Sequence, residues 1–152
     1  MKRLTLRFDA KQLVRAYEAA PNKLRELIRL QLKLAVRDIA EYASEHHSYT
    51  SRSGTLEREG LVTFVRKNVG VVALNPRVPY AVFVHEGTKA HDIVPRHKMA
   101  LRWSDGNKFS FAKRVRHPGT SPDQFLYRAA DAMEGRIQSR FQTEVDRFAE
   151  EL

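Results

Sequence analysis

Cysteine is absent from all 152 residues. That removes disulfides, thiolate metal ligands and thiol nucleophiles, and it fits a reducing compartment. Without covalent cross-links, stability has to come from packing or from assembly. Long apolar runs are missing too: no stretch approaches the roughly 20 residues needed to cross a bilayer, so a soluble chain with no membrane partner is expected. At the N-terminus Lys2, Arg3 and Arg7 interrupt Leu4, Leu6 and Phe8, which leaves no continuous apolar core of the kind a signal peptide requires. Glycine is sparse, with seven residues, all dispersed. No glycine-rich phosphate loop and no Gly-x-Ser-x-Gly nucleophile elbow is therefore present.

Metal-ligand spacing is also lacking. Six histidines occur, but His46 and His47 are adjacent, and His85, His91, His97 and His117 follow no His-x-x-x-His pattern. His85, Glu86 and His91 come nearest to a cluster. Glu86, Asp92 and Asp105 are the acidic candidates for a metal-dependent hydrolase in a basic region, yet no spacing links them. Neither a helix-turn-helix, nor zinc-finger spacing, nor a basic zipper appears, so sequence-specific DNA reading is not indicated. The expectation is a non-enzymatic protein with no cofactor and no metal.

What the chain has in surplus is positive charge, 27 Lys and Arg against 18 Asp and Glu, for a formal charge of +9. Polyanions are the obvious partners of such a surface. The surplus is local: residues 89–116 hold eight basic and two acidic residues, whereas 117–152 hold four basic and seven acidic.

The length suits one domain spanning 1–152. Leu4, Leu6 and Phe8 alternate with charged or polar residues as in a half-buried strand, and Asp9 is placed to cap a short helix after it. Pro21 suits a first helical turn, and the apolar spacing from Leu24 to Ala43 predicts a long amphipathic helix from Asn22 to about His47. Arg25, Arg29, Lys33 and Arg37 recur at i+4 along it and form a basic stripe, read either as a solvated face or as a surface for DNA or an acidic neighbour. Residues 48–54 read as an exposed polar loop.

Two strand-like runs, Leu61 to Arg66 and Val69 to Leu74, flank Lys67 and Asn68 as a hairpin. Tyr80 to Glu86 predicts one or two helical turns closed by Gly87. Met99 to Trp103 and Lys108 to Val115 flank an Asp105-Gly106 turn, predicting a second, basic hairpin within about 89–116. A final helix follows Pro122, with its apolar stripe at Leu126, Ala130, Met133, Ile137, Phe141, Val145, Phe148 and Leu152. The fold class expected is α+β: a small antiparallel sheet with hairpins, packed against a long N-terminal and a long C-terminal helix.

Three segments resemble, in order, those of the phage tail-component family found in the neck genes of long-tailed double-stranded-DNA phages. Ser51, Arg52, Ser53, Gly54, Thr55 and Leu56 are similar to that family's Thr-Gly-x-Leu segment, with Ser53 in place of the usual threonine. The run Tyr80 to Thr88 resembles its Tyr-Ala-x-x-Val-x-x-Gly-Thr signature. His117 to Ala129 resembles Gly-Thr-x-Pro-x-Pro-Phe-Leu-x-x-Ala, with Gln124 where proline is common. The resemblance implies a head-tail joining, tail-completion or tail-terminator subunit with no catalytic role. It implies copies of the chain in a ring, contacts with a head connector or stopper and with tail tube or terminator proteins, and genomic double-stranded DNA passing through the channel. A virion location, after assembly in the host cytoplasm, goes with it. A free-standing non-specific DNA-binding protein is the alternative, and a metal-dependent hydrolase a third.

On either reading Lys98, Arg102, Lys108, Lys113, Arg114 and Arg116 are the candidate surface for DNA or a partner, joined by the Arg25 to Arg37 stripe. Ser51, Arg52, Ser53 and Gly54 are the candidate interface loop. Tyr80, Phe83, Phe125 and Leu126 are expected in the core, Gly87 and Gly119 at turns, and Thr88 beside Gly87 as part of the structural motif.

Overall fold

The computed structural model of this chain describes Thr5 and residues 10–151; apart from Thr5, the strand expected at Leu4 to Phe8 and the cap at Asp9 lie outside the described residues. The class is α+β. The elements, in order, are α1 (Ala10–Ala19), α2 (Pro21–Glu45), α3 (Thr55–Glu59), β1 (Leu61–Arg66), β2 (Val69–Leu74), α4 (Ala81–Glu86), β3 (His91–Ile93), β4 (Leu101–Asp105), β5 (Lys108–Ala112), β6 (Val115–His117) and α5 (Phe125–Glu150).

Pro21 occupies the first turn of α2, where its missing N–H costs nothing. The helix stops at His46, whose N–H donates to Tyr42 O and whose ring stacks on Tyr42 at 3.9 Å. Helices α2 and α5 form the core. Ala35, Ile39 and Ala43 of α2 cluster with Phe125, Ala129, Met133, Ile137 and Phe141 of α5. The start of α5 lies beside the end of α2, where Phe125 meets Tyr49 edge-on at 5.5 Å. Further along, Arg140 Nε donates to Gln31 Oε1 at 3.2 Å, and its Nη1 pairs with Asp38. The helices therefore run antiparallel, and this partly buried polar layer helps fix their register among apolar neighbours that would tolerate sliding.

The buried line on α5 is Phe125, Ala129, Met133, Ile137, Phe141, Val145 and Ala149, one residue away from the expected stripe at both ends. Leu126, Ala130 and Phe148 are only half-buried flanks. A strict four-residue step overshoots each turn by about 40°. The buried line therefore winds around α5, which is covered by α1 as well as by α2.

The described strands do not form one sheet. They make three separate two-stranded antiparallel ladders, β1-β2, β3-β6 and β4-β5. Only β1-β2 lies on the helical body: Leu61, Val72 and Leu74 join the core cluster, and a Cβ on Gly70 would come within 2.7 Å of Val36. The hairpin turn is at Lys67 and Asn68 as expected, with Lys67 at φ 53°.

Residues 89–118 form an arm. Thr88 and Thr120 exchange both backbone hydrogen bonds, at 2.9 and 3.0 Å, and β3-β6 continues in the same register, His91 opposite His117 and Ile93 opposite Val115. The ladder then breaks, with residues 94–100 on one side and 113–114 on the other, before β4-β5 resumes it as a terminal ribbon. The second hairpin is thus shorter than the sequence suggested. Val115 belongs to β6, not to the strand opposite β4, because the unequal break shifts the register between the two ladders.

Candidate assembly surface

The two Gly-Thr dipeptides of the second and third motifs lie side by side at the root of the arm. Gly87 has φ 73° and Gly119 φ 93°. A Cβ on Gly87 would fall 2.5 Å from Thr120 O, and one on Gly119 2.4 Å from Thr88 O. Both positions thus need positive φ and close backbone approach together, which only glycine supplies. The Thr88 and Thr120 hydroxyls lie 3.3 Å apart across the bridge.

The Ser48–Gly54 loop is held at its start by a residue the sequence did not single out. Asp123 is buried at 7% exposure. Its Oδ2 accepts the N–H of Ser48 at 2.6 Å and of Tyr49 at 2.8 Å, while Oδ1 pairs with Arg128. Burial raises the Asp123 pKa, but the Arg128 hydrogen bond and the two backbone N–H groups outweigh it and hold the carboxyl below its ordinary value. Its only sequence signal is an Asp beside Pro122 at the start of a helix.

His47 stacks on Tyr49 at 3.8 Å and places Nε2 3.4 Å from Glu57 Oε1. The Glu57 carboxyl is lowered, first by the Ser51 hydroxyl, against the effect of burial, with His47 and Arg58 adding to it. Burial and the nearby Glu57 and Asp123 carboxylates push the Tyr49 phenol up. Within the loop Ser53 Oγ contacts Thr55 Oγ1 at 2.9 Å, and Arg58 donates to Ser53 O at 3.1 Å. Ser51, Arg52 and Ser53 remain exposed around this anchored base, with Gly54 half-buried.

Two core expectations fail at α4. Phe125 is buried and Leu126 half-buried, but Tyr80 and Phe83 face solvent. A helix of six residues offers one inward face, and Ala81, Val84 and His85 occupy it. His85 is almost fully buried, set edge-on to Phe125 at 5.1 Å and Tyr127 at 4.6 Å. Its Nδ1 lies 2.7 Å from Glu86 Oε1. His91 lies instead on the arm, stacked on His117 at 5.0 Å. Among the described residues no three His, Asp or Glu side chains are grouped so as to hold a metal ion, and no helix is long and apolar enough to cross a membrane.

Lys98, Arg102, Lys108, Lys113, Arg114 and Arg116 are all exposed, as are Arg25, Arg29, Lys33 and Arg37 on α2. They do not form the single basic hairpin the sequence suggested. Lys98, Lys113, Arg114 and Arg116, with Lys89 and Arg96, sit at the base of the arm, where Arg114 and Arg116 share the Asp92 carboxylate. The terminal ribbon carries only Arg102 and Lys108, and Arg102 lies over the Phe109 ring at 3.9 Å.

The ribbon is instead aromatic. Trp103, Phe109 and Phe111 are 43%, 57% and 66% exposed. By register Phe109 and Phe111 share one face with Arg102 and Ser104, while Trp103 lies on the other with Leu101, Ser110 and Ala112. Among the described elements, neither β4 nor β5 packs extensively against anything but the other. Compared with known proteins, the chain matches no family model, no curated protein and no solved structure.

Proposed function

We propose that this chain is a structural, non-catalytic ring subunit of the phage head-tail junction, of the tail-completion or tail-terminator kind, joining the tail to the DNA-filled head. The observation that supports it most is the arm. A ribbon with three exposed aromatics, whose strands among the described elements pack extensively only on each other, is a surface suited to another subunit, since aromatic side chains supply the large, stiff contacts that dominate protein interfaces. The ordered motifs around Gly54, Gly87 and Gly119 point the same way. On this reading its partners are copies of itself, a head connector or stopper, tail tube or terminator proteins, and the genome in the channel. It resides in the virion after assembly in the host cytoplasm.

The exposed cations at the base of the arm and along α2 favour a second reading, a free-standing non-specific DNA-binding protein. The two separate experimentally. Electron microscopy of particles carrying a tagged copy places density in a ring at the neck under the first reading and nowhere in the particle under the second. Under the second, the isolated chain binds duplex DNA with an affinity that falls steeply with salt, the slope on a log-log plot rising with the number of phosphates contacted.

A further inference from the structure

The formal charge of +9 is not spread evenly over the chain. Residues 10–88 hold twelve basic and eight acidic residues, and 119–152 hold four and seven, so the body carries only +1. Residues 89–118 hold eight and two, which puts +6 on the arm. The α2 stripe belongs to the nearly neutral part. That helix has five basic residues against four acidic ones, and Arg37 is already engaged by Asp38 and Glu41.

Within the arm the cations gather where the ladder breaks. Arg96 and Lys98 lie on one side of the break and Lys113 and Arg114 on the other, with Arg116 just inside β6, opposite Asp92. Asp92 is the sole acidic residue of 89–100 and 113–118. Its Oδ2 takes Arg114 and its Oδ1 faces Arg116 Nη1 at 3.8 Å. One anionic group thus sits between two guanidinium groups, on side chains that are 68% and 73% exposed and so open to a second anion from solvent. Arginine side chains placed in this way receive phosphate oxygens as readily as carboxylate oxygens.

We infer that this break in the arm is the surface of the chain that meets duplex DNA, through backbone phosphates, and that Asp92 holds the place between Arg114 and Arg116 that a phosphate takes on binding. This rests on duplex DNA being a partner, as it is on both readings of the function; whether the chain sits at the neck is a separate matter that microscopy decides.

Two features favour duplex DNA over other polyanions. Residues 89–100 and 113–118 contain no Phe, Tyr or Trp, and the His91 and His117 rings stack on each other. Single-stranded nucleic acid is held by bases stacked on aromatic side chains beside the cations. Here the aromatics are set apart on the terminal ribbon, which leaves the base of the arm only phosphates to contact. The second feature is lysine, which supplies Lys89, Lys98 and Lys113. Lysine is depleted where proteins meet proteins, yet it is an ordinary partner of backbone phosphates, which it contacts without reading sequence.

Binding of the full chain to a labelled duplex of about 30 base pairs, followed by fluorescence anisotropy from about 50 mM salt upward, tests this. Five cations at the break less one carboxylate predict a log-log slope of about −4. The decisive variant is Asp92→Asn, because a gain of binding cannot come from a damaged fold. It is expected to tighten binding about threefold at low salt and to steepen the slope by about one. Arg114→Gln combined with Arg116→Gln should weaken binding by at least about tenfold and flatten the slope by about two, whereas Arg29→Gln combined with Lys33→Gln on α2 should change it less than about twofold. Binding that Asp92→Asn leaves unchanged or weakens would overturn the role given to Asp92. An α2 variant that loses as much as the arm variant would overturn the location. A single strand that binds more tightly than the duplex, or poly-glutamate that competes as well as DNA charge for charge, would overturn the inference by giving the surface a different partner. A wild-type chain that binds no duplex even at low salt would overturn it as well, and would leave the ring reading to microscopy.

Discussion

Asp123→Asn tests how the loop is held to the body. The carboxylate satisfies two adjacent backbone donors, Ser48 and Tyr49, and pairs with Arg128. Asparagine keeps the shape and one acceptor oxygen but turns an NH2 towards at least one of these donors. A hydrogen bond to a charged group contributes about 1.5–3 kcal/mol, and a buried donor left unpaired costs about 1–3 kcal/mol. Arg128 is half-exposed, so its side of the pair is screened and adds little. The loss expected at pH 7 is thus about 2–3 kcal/mol, a melting temperature lower by roughly 5–10 °C for a chain of this size.

The sign of the pH dependence follows from the depressed carboxyl. Its stabilisation is fully present above the ordinary value of 3.8 and is lost as pH falls through the lower folded value. Asparagine has no such step, so the gap between wild type and variant should narrow in acid. Urea unfolding followed by circular dichroism, at pH 7 and again near the acid limit of folding, measures both. Equal stability of the two proteins at pH 7, or a gap unchanged in acid, would refute this account of Asp123. Hydrogen exchange at the Ser48 and Tyr49 amides should speed up in the variant, since these are the donors released.

Gly119→Ala should destabilise by about 1–3 kcal/mol, because a Cβ at φ 93° both strains the backbone and meets Thr88 O. Exchange protection at the Thr88 and Thr120 amides reports whether the bridge opens. Ile137→Ala, at the centre of the α2-α5 core and fully buried, should cost about 2–5 kcal/mol in a denaturant titration. Trp103→Ser, by contrast, should change the stability of the isolated chain by no more than about 0.5 kcal/mol, since among the described elements the ribbon's strands pack extensively only on each other. A large loss there by thermal melting would mean that the arm folds back on the body.

The parts of the fold with a strong period were legible in the sequence. The alternation and Lys67-Asn68 turn of β1-β2 and the three-and-four spacing of the long helices were enough to place them within a residue or two. The stripe on α5 came out shifted because Ala129 and Ala149 are small and weak as hydrophobic signals, yet lie on the buried line. The aromatic character of Tyr80 and Phe83 suggests burial, but the helix is too short to turn both inward. The strap β3-β6 was invisible: three residues pair with three others across the whole arm, and no local pattern encodes so distant a partnership. Counting charge along the chain gave the right cationic segment but not its layout, since pairing in space sends the cations to the base and leaves the aromatics at the tip.

The Thr88-Thr120 bridge has a consequence for how much change the chain can absorb. Residues 89–118 leave the body and return to it on either side of that bridge, and among the described elements none of β3 to β6 packs extensively on the helices or on β1-β2, so the arm hangs on the core as an appendix whose length the core scarcely registers. The entropy of closing a loop grows only logarithmically, by about 0.6 kcal/mol for each doubling of its length. Arms half or twice as long would therefore sit on the same helices with nearly the same stability. Reach can vary while the scaffold stays fixed, and on the proposed ring reading the distance to a neighbouring subunit becomes a property of the arm alone.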